Sequence, residues 1–297
     1  MKTTFHRIYT SDGLELHGLL YEPDVTTTSV LVHVHGMAGN FYENKFVDFI
    51  ARALTDVGVA FCSINNRGCE YIKDTYRIVD GTAPEFARIG TAFERFEDSV
   101  KDIDAFILFV TEQGYSDIHL SGHSLGCAKV AYYMSETADA RIHSISLLSP
   151  SDMLGLVRAN SINFERDLTE AQDLVSTGKG TQLLTNWVWD EYPLSANTYL
   201  NLFADNAATG IFNFFNPNDT LESLGRITVP TYAVMGRKDD ALTINIETTF
   251  ERLEKALVNS SKVKTKILGD ANHGYRGHEA ELATALTNWI TSVTQCM

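Results

Sequence analysis

The chain has 297 residues, 44% hydrophobic and 21% charged, the make-up of one large globular domain or of a core carrying a smaller insertion, not of a disordered chain. Twenty-four Lys and Arg against thirty-eight Asp and Glu leave a net charge of −14, which speaks against a phosphate-tracking nucleic-acid surface or a polybasic membrane patch.

The first residues, MKTTFHRIYTSDG, hold one early Lys but no apolar h-region and no small-residue cleavage site, so no secretory signal is expected. Residues 4–9 and 14–21 alternate around Ser11, Asp12 and Gly13 and predict an antiparallel hairpin. SVLVHVH at 29–35 is a β-branched strand closing on Gly36; a helical pattern at 45–57 and a strand at 59–64 follow. Helix 99–113, strand 118–121, helix 125–136 and strand 142–148 continue the alternation, which predicts an α/β fold with a mostly parallel central sheet and helices on both faces. From 149 to 228 the rhythm stops, as an inserted cap would make it. Trp187, Trp189, Tyr192, Tyr199, Phe203, Phe212, Phe214 and Phe215 give that stretch an apolar surface of its own. Strand 231–235, helix 243–257, strand 263–268 and helix 279–294 complete the core, so the expected organisation is core 1–148, cap 149–228, core 229–297. The longest apolar runs, such as 105–110, fall well short of the roughly 18 residues a membrane span needs. Cys62, Cys69, Cys127 and Cys296 are too scattered for a disulfide framework and include no CxxC pair, so reduced thiols in a cytoplasmic protein are expected.

Gly122, His123, Ser124, Leu125 and Gly126 spell GHSLG between a predicted strand and a predicted helix. A GxSxG at that junction makes a sharp, strained turn that lifts a serine hydroxyl to a helix N-terminus at the carboxyl edge of the sheet. Ser124 is therefore the candidate nucleophile.

This elbow and the order of elements resemble the α/β-hydrolase superfamily over nearly the whole chain. The resemblance implies an acid after a later strand and a histidine near the C-terminus. GRKDDAL resembles the GxxD turn and puts Asp239 at the acid position, with Asp240 as its neighbour and rival; Asp152, after strand 142–148, is a third position some members use. GDANHGY resembles the segment carrying the histidine and points to His273, with His278 nearby. By family position the backbone N–H groups of Met37 and Leu125 form the oxyanion hole. The chemistry asks for such a set, because a serine hydroxyl needs a base to take its proton, the imidazolium needs a carboxylate, and the tetrahedral oxyanion needs two donors. His35 reads as part of the HG segment and His33 as a packed core residue, since the rest of an HxHxDH metal pattern is missing. His123 inside the elbow and Arg67 in an xxRG-like loop read as structural, and Cys127 as a small residue packing its helix.

The implied reaction is hydrolysis, through an acyl-serine intermediate, of a carboxylic ester of a small or medium-sized, apolar or aromatic substrate, with no cofactor and no metal. Thioester and small-amide substrates stay open, as does a non-catalytic small-molecule receptor on the same fold. GHSLGC, SPSDM and YPLSANTYLNLF are also similar to fungal siderophore esterases, although that family's elbow usually reads GHSTGC and Leu125 departs from it. Substrate-contacting residues are not identifiable, and an edge strand or the cap leaves a homodimer open.

Overall fold

A computed structural model describes residues 1–78 and 83–294, so Cys296 lies outside the described residues. The chain opens with β1 (Lys2–Tyr9), β2 (Glu15–Glu22), β3 (Ser29–Val34), α1 (Phe46–Asp56) and β4 (Ala60–Ile64). It continues with β5 (Lys73–Arg77), β6 (Glu85–Ile89), α2 (Ser99–Glu112), β7 (Asp117–His123), α3 (Leu125–Thr137) and β8 (Ile142–Leu148). Three helices follow, α4 (Met153–Asn160), α5 (Phe164–Ser176) and α6 (Ala196–Phe203), before β9 (Thr231–Lys238), α7 (Ile246–Ala256), β10 (Val263–Asn272) and α8 (Glu279–Thr294).

Eight strands form one sheet in the order β1-β2-β4-β3-β7-β8-β9-β10. β1 and β2 join antiparallel; every pair from β4 to β10 is parallel. Central strands β3, β4 and β7 are buried at every position, as expected of parallel strands covered on both faces. The two-residue strand period sorts their side chains between two cores. Val30, Val32 and Val34 join Cys62, Ile64 and Leu120 beneath α2 and α3, while Leu31 and Phe61 pack with Phe46 and Trp289 of α1 and α8. Each fully buried Val or Leu contributes about 1.5–3 kcal/mol.

Residues 149–228 lie between β8 and β9 and add no strand to the sheet. Their helices dock over α3 and the loop before α2. Ser195 N and Thr198 Oγ1 donate to Ala92 O at 2.9 and 3.0 Å, and Phe96 N donates to Asn201 Oδ1 at 2.7 Å. Tyr199, Phe203, Phe212 and Phe214, four of the eight aromatics, are buried in the core beneath. An antiparallel ribbon of β5 and β6, for which the sequence pattern carries no signal, stands apart from the main sheet. Among the described residues no helix is long and apolar enough to cross a membrane.

Strand order reverses between β3 and β7, which pair in parallel through Val34 and Gly122. The carboxyl ends of these two strands open the crevice where open α/β sheets bind ligands.

Candidate active site

Ser124 follows β7 directly and precedes α3, with φ 55 and ψ −125. A non-glycine residue there costs roughly 1–3 kcal/mol, strain that the surrounding turn must hold. Ser124 N donates to Leu148 O of the neighbouring strand at 3.0 Å. Gly126 is required by close approach, since a Cβ on it would sit 2.3 Å from Val34 O. Cys127 donates its thiol to Gly122 O and Leu148 O at 3.0 and 3.2 Å, and burial pushes its pKa well up, as befits a packing residue.

Asp239 ends the run after β9, and His273 follows β10. His273 Nδ1 and Asp239 Oδ1 are 2.8 Å apart. Burial works against the Asp239 charge, but the hydrogen bond and charge of His273, with nearby Ser149 and the Ala241 N–H, outweigh it and hold the carboxyl below its ordinary pKa. Asp240 is exposed at the cavity edge, whereas His278 leans toward Glu281 at 3.3 Å. Asp152 is committed elsewhere: Oδ1 caps α4 through Gly155 N at 2.7 Å, and Oδ2 accepts from Phe215 N at 2.6 Å and Thr243 Oγ1 at 3.3 Å. Burial raises its pKa against those three bonds.

The loop after β3 presses on Ser124. A Cβ on Gly36 would lie 2.9 Å from Ser124 Cβ, so this position admits no side chain. His35 is buried and its pKa falls to about 3, through burial first and the charge of Lys129 second. Neutral, its Nδ1 donates to Gly36 O at 2.7 Å while Nε2 accepts from Asn66 N at 3.1 Å. Because Gly36 C=O and Met37 N–H belong to one trans peptide, holding the carbonyl toward His35 fixes the N–H on the opposite edge. Leu125 N–H opens α3, where the first amides lack helical acceptors.

Ser124, His273 and Met37 line one cavity of about 990 Å³. Among the described residues no hydrogen bond links Ser124 Oγ to His273, and unliganded sites often hold that contact long. His123 also lines the cavity, and its Nε2 donates to the His273 carbonyl at 2.9 Å, which ties the histidine loop to the elbow. The sequence marked His123 as structural but offered no sign of this partner. It offered none either of the fully buried Lys129–Glu94 ion pair at 2.5 Å, whose ammonium also reaches Asn66 Oδ1 at 2.9 Å behind the His35 loop. Arg67 is a scaffold residue, with its guanidinium 2.7 Å from Asp102 and 3.2 Å from both Asp12 and Asp98. His33 bonds to Ser121 Oγ at 2.9 Å and packs on Phe46 and Phe61. Among the described residues no three His, Cys, Asp or Glu side chains converge so as to hold a metal ion.

A profile of the Alpha/beta hydrolase family matches residues 31–285. The chain belongs to the alpha/beta hydrolase family. Among curated proteins no sequence matches it. Solved structures resemble it end to end. Est1E from Butyrivibrio proteoclasticus, determined with ferulic acid bound, has a TM-score of 0.68 at 17% identity, covering 97% of this chain and 99% of its own. DcsB, in complex with its substrate analogue, reaches 0.70 at 15% identity over 98% and 99% of the two chains. The Pyrococcus furiosus esterase Pf2001 reaches 0.62 at 14% identity over 98% and 91%. At such identities the likeness is one of fold.

Proposed function

We propose that this alpha/beta hydrolase is a serine esterase, with Ser124 as nucleophile, His273 as general base and acid, and Asp239 as the carboxylate that orients His273. One observation carries the reading: a strained serine elbow shares its cavity with a histidine whose far nitrogen is bonded to a buried, ionised carboxylate.

Ser124 Oγ attacks the ester carbonyl as His273 Nε2 takes its proton, and Asp239 stabilises the resulting imidazolium. The carbonyl oxygen becomes an oxyanion that accepts from the N–H groups of Met37 and Leu125. Collapse breaks the bond to the alcohol oxygen, which leaves with the proton from His273, and the acyl group stays on Ser124. Water, deprotonated by the same histidine, then attacks the acyl-serine; collapse returns Ser124 Oγ–H and a carboxylic acid.

Residues 149–228 act as the cap in this reading, closing the cavity with Met153, Leu156, Trp189 and Tyr192. That wall supports a small or medium-sized ester with an apolar or aromatic part, in keeping with the ferulic acid held by the similar Est1E. Buried free thiols at Cys62, Cys69 and Cys127 suit a reducing, cytoplasmic setting.

Turnover of p-nitrophenyl esters of increasing acyl length by wild type and by Ser124→Ala tests the reading. It predicts turnover with a chain-length optimum, abolished in the variant. Turnover that survives in Ser124→Ala overturns it; binding without turnover on a broad acyl panel replaces it with the receptor reading.

A further inference from the structure

Away from Ser124 and His273 in the chain, two loops of the core and one turn of the cap supply one part of the cavity wall: Tyr42, Tyr71, Trp189 and Tyr192, with Glu43, Glu70 and Glu191. Ring centroids of Tyr71 and Tyr192 are 5.7 Å apart, and Trp189 meets Tyr192 edge-on at 5.8 Å. The three carboxylates are within electrostatic reach of these rings. Burial first, then Glu191 and Glu43, push the Tyr71 and Tyr192 phenols up, while burial with Glu70 and Glu43 does the same to Tyr42.

These carboxylates lack cationic partners. Glu191 accepts from Tyr71 Oη at 3.0 Å and Glu43 from Asn40 Nδ2 at 3.3 Å, both neutral donors. Among the described residues none of the three forms an ion pair, although ion pairs are common over the rest of the surface. The cavity's other two charged side chains, Asp240 and Arg276, cancel in sign and sit next to the Asp239 and His273 segments. Three carboxylates without an ion pair thus share one cavity wall with tyrosine and tryptophan rings. An organic cation satisfies both at once, since ring quadrupole and carboxylates attract it together, whereas an anionic substrate is repelled by both. The backbone is also strained here: Trp189, Asp190 and Glu70 adopt φ of 53, 58 and 61.

We infer that the substrate is a cationic ester, with an ammonium or quaternary ammonium group seated on Tyr71, Tyr192 and Trp189 between Glu43, Glu70 and Glu191 while its carbonyl lies at Ser124. The inference rests on the esterase reading and adds the chemical class of the substrate.

Paired isosteres test it: butyrylcholine against 3,3-dimethylbutyl butyrate, identical in shape and different by one charge. The expected kcat/KM ratio favours the cation by about tenfold or more at low salt and shrinks at high salt. Combined Glu43→Gln, Glu70→Gln and Glu191→Gln, which keeps the hydrogen-bond acceptor for Tyr71, brings the ratio close to one. The ratio is internal to each protein and does not depend on how much of the variant folds. Preference for the neutral ester, or a ratio unmoved by the triple substitution, overturns the inference. Calorimetric binding of benzyltrimethylammonium to Ser124→Ala decides the same question without chemistry: binding about tenfold weaker in the triple Gln background supports it, and no binding, or binding the triple substitution leaves intact, refutes it. Failure of the esterase reading is seen separately, as ammonium binding by a wild-type protein that hydrolyses neither ester.

Discussion

The two sides of the cavity are built in different ways. On one side the groups are set by the sheet: Gly36 and Met37 by the end of β3, Ser124 by β7 and α3, Asp239 by β9, and His273 by β10, with His35 and His123 bonded across the loops. On the other, Trp189 and Tyr192 stand on a five-residue turn closed by the Val188–Tyr192 bridge, joined to the core's Tyr71 through Glu191. The first side is held by a sheet whose central strands are buried throughout, and the second by a short turn and a hydrogen bond between exposed side chains. A fold can therefore keep its reaction fixed while altering what it accepts, and substitutions on the two sides should differ in kind as well as in size.

The largest effect belongs to the sheet side. Asp239→Asn should leave the fold intact yet lower kcat by about 10⁴-fold, because His273 loses the acceptor that sets its tautomer and stabilises its charge. Steady-state kinetics with an ester substrate measure this, and a loss below tenfold would break the contrast.

Acid should act on the same side. His33, His35 and His123 are buried, with pKa values lowered to about 4, 3 and 3, by burial in each case. The unfolded chain binds those protons below about pH 6.5 while the fold does not, so stability drops as pH falls from there toward 4, by up to about 4 kcal/mol per pH unit for the three together. Urea titrations at about pH 7.5 and 5.5 read the slope; equal stability at the two would contradict it.

Asp152→Ala strands the Gly155 and Phe215 N–H groups, which Asp152 ties together across the segment between β8 and β9, at a cost of roughly 2–4 kcal/mol in urea unfolding. Smallest of all, Tyr71→Phe removes an exposed hydrogen bond across the mouth and should shift stability by no more than about 0.5 kcal/mol. Its effect should be on KM, and a fall in kcat instead would show that the mouth takes part in the chemistry.

The same division decides what was readable in the chain. Strand and helix periods put most core elements within a few residues of their observed ends, and helix Glu279–Thr294 matches at both. The elbow was legible because Gly122, Ser124 and Gly126 are local in sequence and each meets a local steric demand. The β5–β6 ribbon was not, since KDTYR and EFARI carry no regular apolar face. Lys129 looks like a surface residue of its helix, and only Glu94, 35 residues earlier, together with the still more distant Asn66, explains why it is buried. Four of the eight aromatics between 187 and 215 serve the core and two line the cavity, a split that depends on docking rather than on spacing.

The most direct test of the central claim is labelling with a fluorophosphonate, followed by peptide mapping. One phosphonyl adduct per chain on Ser124, absent from Ser124→Ala, is the predicted result, because the reagent needs both an activated serine and an oxyanion hole. An unlabelled wild type, or an adduct on another residue, would contradict the account.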